Sequence, residues 1–504
     1  MADQPRRYRF GPLERRGLVG SLRGQQVAVL GTALIAAVLA MRTSPTGGGV
    51  PVAIGIVLLA SGLCFWPFAG RSAEEWAPIA IRHAWRRVRG RDRYRSPAPT
   101  VGVTRGRDGN PVPVVALPEA AAGLDMLAWP LRGEEVGVVR DRRARSYAAT
   151  LAVRVASFGL LDRAEQEARQ AAWGAVLAGM AREGGPVSRL QWLERTVPAD
   201  GDEMGRYLGE AWDRDAVPVE SLQMRSYLDL VSAAPGVTKD HELLVSLQID
   251  ARRAWRQIKR IGGRAGPDAG ACTVLMREIE TLADRLTGAD VQVVGALRPG
   301  MLARAIRVAY DPWSRPGLAR LAAADPGRDG LDEGAAWPVA GDTGWSSYRT
   351  DGALHSTYWI ASWPRTDVGT AFLSPLLLHA QMVRAIAVTI EPIPPLRAIR
   401  EVESALTSDA ADQELRQRFG FIETARRRRI SESTLRREQE LADGHAAMRY
   451  AGFVTVSARD EEELDRHCSE VEHAAQMAHL ELVRLFGDQD VAFTYTLPLC
   501  RGLR

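Results

Sequence analysis

Lysine is nearly absent from this 504-residue chain. Of 65 basic residues only Lys239 and Lys259 are lysines, and the rest are arginine. No G-x-x-x-x-G-K-[ST] motif occurs, so the phosphate-cradling loop and its lysine are missing. Alongside so much alanine and glycine, the arginine excess reads as the codon bias of a GC-rich genome rather than a demand for guanidinium groups. Cysteine is scarce as well. Cys64, Cys272, Cys468 and Cys500 lie far apart with no C-x-x-C, which excludes a disulfide framework and suits a reducing compartment. H-E-x-x-H and G-x-S-x-G are absent too. His467, Cys468, His473 and His479 cluster in sequence. On a helix, however, successive histidines of that set sit about 240° apart and do not converge on one ion. We therefore expect no catalytic residue, cofactor or metal, and a protein that is not an enzyme. Net charge is only +4, too small to imply nucleic acid by itself.

Apolar residues make up 46% and charged residues 25%, as in ordinary folded chains, and the length predicts two or three domains behind an N-terminal anchor. Val27–Met41 and Gly49–Ala69 are apolar runs without a charge, separated by a turn rich in Pro, Gly and Thr. They predict a transmembrane helical hairpin over residues 25–69. Ala28, Thr32, Ala36 and Ala40 form a small-residue stripe for close packing of the two helices. Trp66 and Phe68 end the second run, where interfacial aromatics belong. The basic tail 1–24 carries six arginines and residues 70–95 carry eight, whereas the loop between the runs carries only Arg42. Positive flanks stay inside, which predicts a multi-pass protein of the cytoplasmic (inner) membrane with both termini cytoplasmic. The juxtamembrane segment 70–96 places Ala77, Ile81, Trp85 and Val88 on one helical face among arginines. That face suits the anionic lipid of the inner leaflet. The alternatives are a cleaved signal sequence around the first run and a hairpin buried in a folded domain.

Beyond the linker at Ser96–Pro99 the pattern is α/β or α+β. Strands are predicted at 135–140, 147–157, 187–195, 241–249 and 290–296, with a helix over 161–182. Residues 312–345, rich in Pro and Gly, read as a flexible connection between a first cytoplasmic domain, 97–311, and a second, 346–504. In the second, strands are expected at 354–363, 383–391, 450–457 and 490–497. Helices are expected at 373–379, 395–417, 420–444 and 460–486. The order β-α-β, β-α-β is that of a ferredoxin-like split unit. The second domain repeats the grammar of the first, which allows the two to be related, although no fixed-period repeat is present.

Three features bear on partners. Gly262–Gly266 precedes a helix and reads as a loop, with anion binding as the alternative. Trp359 and Trp363 are four apart in a strand and so share a face, either as core or as an interface anchor. Arg426, Arg427, Arg428 and Arg429 form an unbroken basic block that is either a solvated helix or a contact for an acidic partner or nucleic acid.

The opening Arg7-Tyr8-Arg9-Phe10-Gly11-Pro12-Leu13-Glu14-Arg15-Arg16-Gly17, followed by two apolar runs, resembles an actinobacterial integral-membrane family with a PrgI-like N-terminal hairpin. The body is similar to the non-motor N-terminal region of conjugation ATPases of the CagE/TrbE/VirB group. Trp337-Pro338-Val339-Ala340, Tyr348-Arg349-Thr350-Asp351-Gly352, Trp363-Pro364-Arg365, Arg437–Leu441, Ala492-Phe493-Thr494 and Leu497-Pro498-Leu499 carry that similarity. The resemblance implies a structural inner-membrane subunit of a type IV secretion-like or conjugation apparatus, docking a separate P-loop ATPase. A homo-oligomer is compatible with it. The alternatives are a membrane-tethered nucleic-acid or signalling module and an enzyme without a recognisable site.

Overall fold

The computed structural model describes residues 24–43, 48–65, 67–68, 71–97, 103–105, 111–113, 115–155, 161–199, 207–208, 211–212, 216–218, 220–233, 239–324, 330–378, 382–419 and 425–503. The protein is mixed α/β with one large antiparallel sheet. It divides into a small unit, Pro12–Asp92 with Phe486–Asp488, and a large one, Arg93–Leu485 with Gln489–Arg504.

The small unit holds α1 (Gly24–Thr43), α2 (Gly49–Phe65), the two-residue strands β1 (Pro67–Phe68) and β2 (Arg71–Ser72), and α3 (Ala73–Val88). Of these, α1 is long and apolar enough to cross a membrane over Gln26–Thr43, and α2 is apolar but shorter. The two helices pack lengthwise, and Gln26 Nε2 donates to the Cys64 carbonyl at 3.3 Å. The packed face differs from the expected stripe. Ala28, Thr32 and Ala36 are exposed and Ala40 is half-buried. Ala37 is buried instead, with Gln26, Leu30, Ala33 and Ala40 in line with it. The reason is geometric. A strict four-residue spacing drifts about 40° round the helix at each step, whereas alternating steps of three and four stay on one line. On α2 the matching line is Gly49, Ala53, Ile56, Ala60 and Cys64. Leu34, Ile35, Leu58 and Leu59 face outward, each more than 60% exposed. Trp66 lies outside the described residues, and of Phe68 only the backbone is described.

The large unit opens with β3 (Arg93–Arg95), β4 (Val103–Arg105) and β5 (Pro111–Pro113). A first run of elements follows: β6 (Leu124–Leu131), β7 (Glu134–Asp141), β8 (Ser146–Arg154), α4 (Arg163–Ala178), β9 (Val187–Pro198), α5 (Leu222–Ala233) and β10 (Lys239–Asp250). It continues with α6 (Trp255–Gly262), α7 (Pro267–Gly288), β11 (Gln292–Ala296), α8 (Pro299–Tyr310) and α9 (Arg315–Ala324). The second run is β12 (Ala340–Thr343), β13 (Tyr348–Arg349), β14 (Leu354–Ser362), α10 (Ser374–Leu378), β15 (Val383–Pro392), α11 (Pro395–Phe419) and α12 (Ala425–Ala442). It ends with β16 (Met448–Ala458), α13 (Glu461–Met477), β17 (Glu481–Arg484) and α14 (Gln489–Phe493).

Among the described residues thirteen strands form one sheet in the order β3-β12-β13-β14-β16-β15-β9-β10-β8-β7-β6, with β17 also on β14 and β11 also on β8. This order contains the same topology twice. β8, β9, β10 and β11 lie 4-1-3-2, counting strands along the chain, and β14, β15, β16 and β17 lie in the same order. Each set is preceded by a hairpin (β6–β7, β12–β13) and followed by a short helix (α8, α14). Each is interrupted between its second and third strands, by the segment containing α5 in one and by α11–α12 in the other. The halves meet second strand to second strand, β9 against β15, with Arg384 opposite Thr196 and Ile390 opposite Leu190.

Four expectations differ from this arrangement. Segments 97–311 and 346–504 contribute to one continuous sheet, so the boundary between them is a seam. Segment 312–345 carries α9 and β12, with Arg315 and Trp337 buried. The expected helix over 460–486 stops at Met477. His479 turns into the left-handed region at φ 56°, and the Leu480 amide closes onto the Ala475 carbonyl. The expected strand 490–497 is helical. There the Thr494 and Thr496 hydroxyls bond back to the carbonyls three residues earlier. Local side-chain bonds of this kind compete with a strand ladder.

Both sheet faces are covered. Over one face, α6 and α7 bury Leu190, Leu247 and Ile249 of the first half, and α13 buries Tyr358, Val454 and Val456 of the second. On the opposite face a single core spans the seam, joining Leu193 and Leu244 to Leu302, Ile306, Tyr310, Trp337, Phe493, Leu497 and Leu499.

Candidate functional site

The most strongly built polar site is the seam. Cross-strand register puts Thr196 of β9 beside Arg384 of β15 on one side and His241 of β10 on the other. Glu194 lies two residues back, on the same face as Thr196. The Arg384 guanidinium is fully buried and Glu194 is 6% exposed. Arg384 donates to Glu194 Oε2 at 3.3 Å, to Thr196 Oγ1, and to the α10 carbonyls of Leu376 and Leu377. The second Glu194 oxygen takes His241 Nδ1 at 2.8 Å and the Thr196 hydroxyl at 3.1 Å. Burial lowers the Arg384 pKa and Glu194 partly restores it. Both carboxylate oxygens are therefore engaged within the protein. The arrangement ties β9 to β15 through buried side chains.

The other face carries a second charged ladder. Arg195 donates to the Ala305 carbonyl and to Glu242, and Arg315 holds Asp240 at 2.6 Å and Glu242 at 3.1 Å. Burial would raise the Glu242 pKa, but Arg195 and Arg315 outweigh it and hold the carboxylate low.

Across the seam on this face runs the segment 495–503. The Gln191 side chain of β9 donates to the Tyr495 carbonyl at 2.9 Å and accepts the amides of Leu499 and Cys500 at 3.1 and 3.0 Å. Thr389 of β15 donates to the Arg501 carbonyl at 2.9 Å. Arg189 reaches the carbonyls of Cys500 and Leu503, and Arg501 reaches Asp141 at 2.7 Å. One segment thus bonds to both halves. Burial pushes the Cys500 thiol up to about 12, which keeps it protonated and unreactive.

The residues singled out in the sequence are not brought together. A bulge after Ile360 turns Trp363 toward the Ile360 face, where it packs edge-on against Tyr450 with ring centroids 5.4 Å apart. Trp359 alternates to the opposite face from Tyr358 and Ile360, so the two tryptophans do not share a face. Gly452 has no side chain because a Cβ there would sit 2.6 Å from Ile360 and 2.9 Å from Trp363. Arg426–Arg429 fall on α12, and nothing is described of their side chains. Trp85 is 57% exposed on α3 beside exposed Ile81 and Val88, with the Arg89 guanidinium 4.3 Å over its ring. His467 is buried with Nδ1 3.1 Å from the Ser457 carbonyl, and no group of acidic, histidine and cysteine side chains among the described residues could hold a metal. Gly262–Gly266 is the turn between α6 and α7.

Sequence reasoning missed Arg384, Glu194 and Gln191. The signal was a charged or amide residue inside an otherwise apolar strand, Val-Arg-Ala-Ile-Ala-Val and Leu-Gln-Trp-Leu-Glu-Arg-Thr-Val. Such a residue marks a buried partner.

A groove of about 330 Å³ lies beside β6 and the start of α8, lined by Met126, Ala128, Pro299, Gly300, Leu331 and Glu333. Burial raises the Glu333 pKa against the bond it accepts from the Met126 amide at 2.8 Å. No family model and no curated protein matches the chain.

Proposed function

We propose that this chain is a structural subunit of a type IV secretion-like or conjugation apparatus, anchored in the cytoplasmic membrane and docking a separate P-loop ATPase. In this reading α1 and α2 form the transmembrane hairpin. Their outward Leu34, Ile35, Leu58 and Leu59 would meet lipid rather than water. The fourteen arginines flanking the pair, against Arg42 alone between them, favour cytoplasmic termini. The exposed Ile81, Trp85 and Val88 of α3 support its lying on an anionic leaflet. Each half of the body is a ferredoxin-like unit on this account. The two are fused through their second strands into one broad slab.

The observation that carries the reading is the seam. Its buried charges are spent on holding two related halves as one rigid piece, which suits a platform. The second half would meet the motor through α11 and α12, whose arginine block is complementary to an acidic partner. Reporter fusions after residues 24, 46 and 96 test the anchor. Only the middle fusion should report from outside. An outside signal at 96, or loss of the N-terminus by cleavage, would overturn the topology. Because β15 completes the edge of β9, deletion of 346–504 would open the slab. The motor contact is therefore tested by substitution on α12.

A further inference from the structure

The α6 turn and helix carry a run of cations without an acid. Between Asp250 and Asp268 there is no acidic residue, yet Arg252, Arg253, Arg256, Lys259, Arg260 and Arg264 all occur. All six are exposed. Only Arg253 has an acidic partner among the described residues, Glu391 at 3.3 Å. Elsewhere the surface arginines are commonly matched, as with Arg142 and Asp125, Arg298 and Glu134, or Arg349 and Glu461.

Arg256 and Arg260 lie one turn apart on the helix, about 6 Å, with Lys259 on the neighbouring row, while Arg252 sits in the turn before the helix and Arg264 in the turn after it. Trp255 shares that row, four residues before Lys259, and is 53% exposed. The helix is held rigidly from beneath. Ile258 and Gly262 are buried, and Gly262 meets Gly270 of α7 so closely that a Cβ on Gly270 would lie 2.2 Å from the Ile258 carbonyl oxygen.

We propose that this α6 face docks single-stranded nucleic acid, the cluster of exposed cations meeting the phosphates and Trp255 stacking on a base. Two features separate this from a lipid surface. An interfacial helix must offer an apolar face to the acyl boundary. Here Ala254, Ile258 and Gly262 all point into the core, which leaves Trp255 alone outside. A cluster of cations beside one exposed aromatic ring is instead the combination that binds a strand with charged links and flat bases. The inference stands independently of the motor-platform reading.

Fluorescence anisotropy of a labelled oligothymidine with the full-length protein in neutral detergent tests it. The triple reversal R256E/K259E/R260E should weaken binding at least tenfold and reduce the slope of log affinity against log salt by about 2. Trp255→Ala should weaken it about tenfold with the slope unchanged. The charge-preserving R256K/R260K should retain binding, which separates loss of charge from loss of fold. Reversal of three exposed arginines elsewhere, R400E/R436E/R466E, should leave affinity within twofold. An equal loss in that control would make the binding a property of overall charge and overturn the proposal. Capture of phosphatidylserine vesicles that depends on the α6 cations, with no oligonucleotide bound, would assign the face to lipid and also overturn it.

Discussion

Replacing Glu194 with alanine is the sharpest perturbation of the seam. It leaves the fully buried Arg384 guanidinium facing Thr196 and two carbonyls with no counter-charge within bonding distance. Breaking a buried pair from one side costs about 3–5 kcal/mol. Replacing both partners by apolar residues of similar volume removes the stranded charge, so R384M with E194L should cost less than either single change. The coupling between the two positions should then be about 2 kcal/mol or more. Hydrogen exchange of the β9 and β15 amides in the full-length protein reads local opening without assuming that the whole chain unfolds as one unit. The faster exchange of the single variants should be confined to those strands and their neighbours, and largely restored in the double variant. Additive losses, with the double variant worse than either single, would refute the idea that this pair locks the halves.

Burial lowers the pKa of His355 from its ordinary 6.5 to about 4, between Ser457 Oγ at 2.8 Å and the Tyr310 carbonyl at 3.1 Å. The unfolded chain then binds the proton more tightly than the native one. Stability from this group is complete above pH 6.5 and lost as pH falls toward 4, about 3 kcal/mol in all, and His355→Gln should flatten that part of the pH–melting curve. Gln191→Ala strands the Leu499 and Cys500 amides, costing about 1–3 kcal/mol for each, and should expose the segment 495–503 to limited proteolysis. Gly270→Ala should separate α6 from α7 and cost about 3 kcal/mol or more by thermal denaturation, because the obstructing atom is backbone.

Strands buried on a continuous face were legible from the sequence. β9, β10, β15 and β16 were placed within two or three residues, because long apolar stretches bounded by breakers have few other solutions. The acidic start of α13 was legible as well: the Asp460 side chain accepts from the Glu463 amide and the Glu463 side chain from the Arg459 amide. The segment 490–497 was misread because an alternating pattern cannot register that Gln489 takes the strand's place. The Gln489 side chain accepts from the Thr357 amide at 2.8 Å and reaches the Thr357 carbonyl, so its amide does the work of a ladder partner. The relation between the two domains was open from the sequence, but their common strand order was hidden for a different reason. Counterpart strands begin at Ser146, Val187, Lys239 and Gln292 in one half and at Leu354, Val383, Met448 and Glu481 in the other. Unequal insertions thus erase any fixed period while leaving strand order intact. For the same reason the seam network was out of reach, since Glu194 and Arg384 meet only once the second strands of both halves are paired.

The central claim is that this chain serves as a membrane-anchored platform for a motor supplied in trans. Crosslinking in intact membranes, followed by purification of the full-length protein and identification of what comes with it, tests that most directly. The account predicts recovery of a P-loop ATPase of the conjugation class, reduced at least fivefold when Arg426 to Arg429 are all changed to glutamate while membrane insertion is unaffected. Purification of the intact protein without any such ATPase would contradict it.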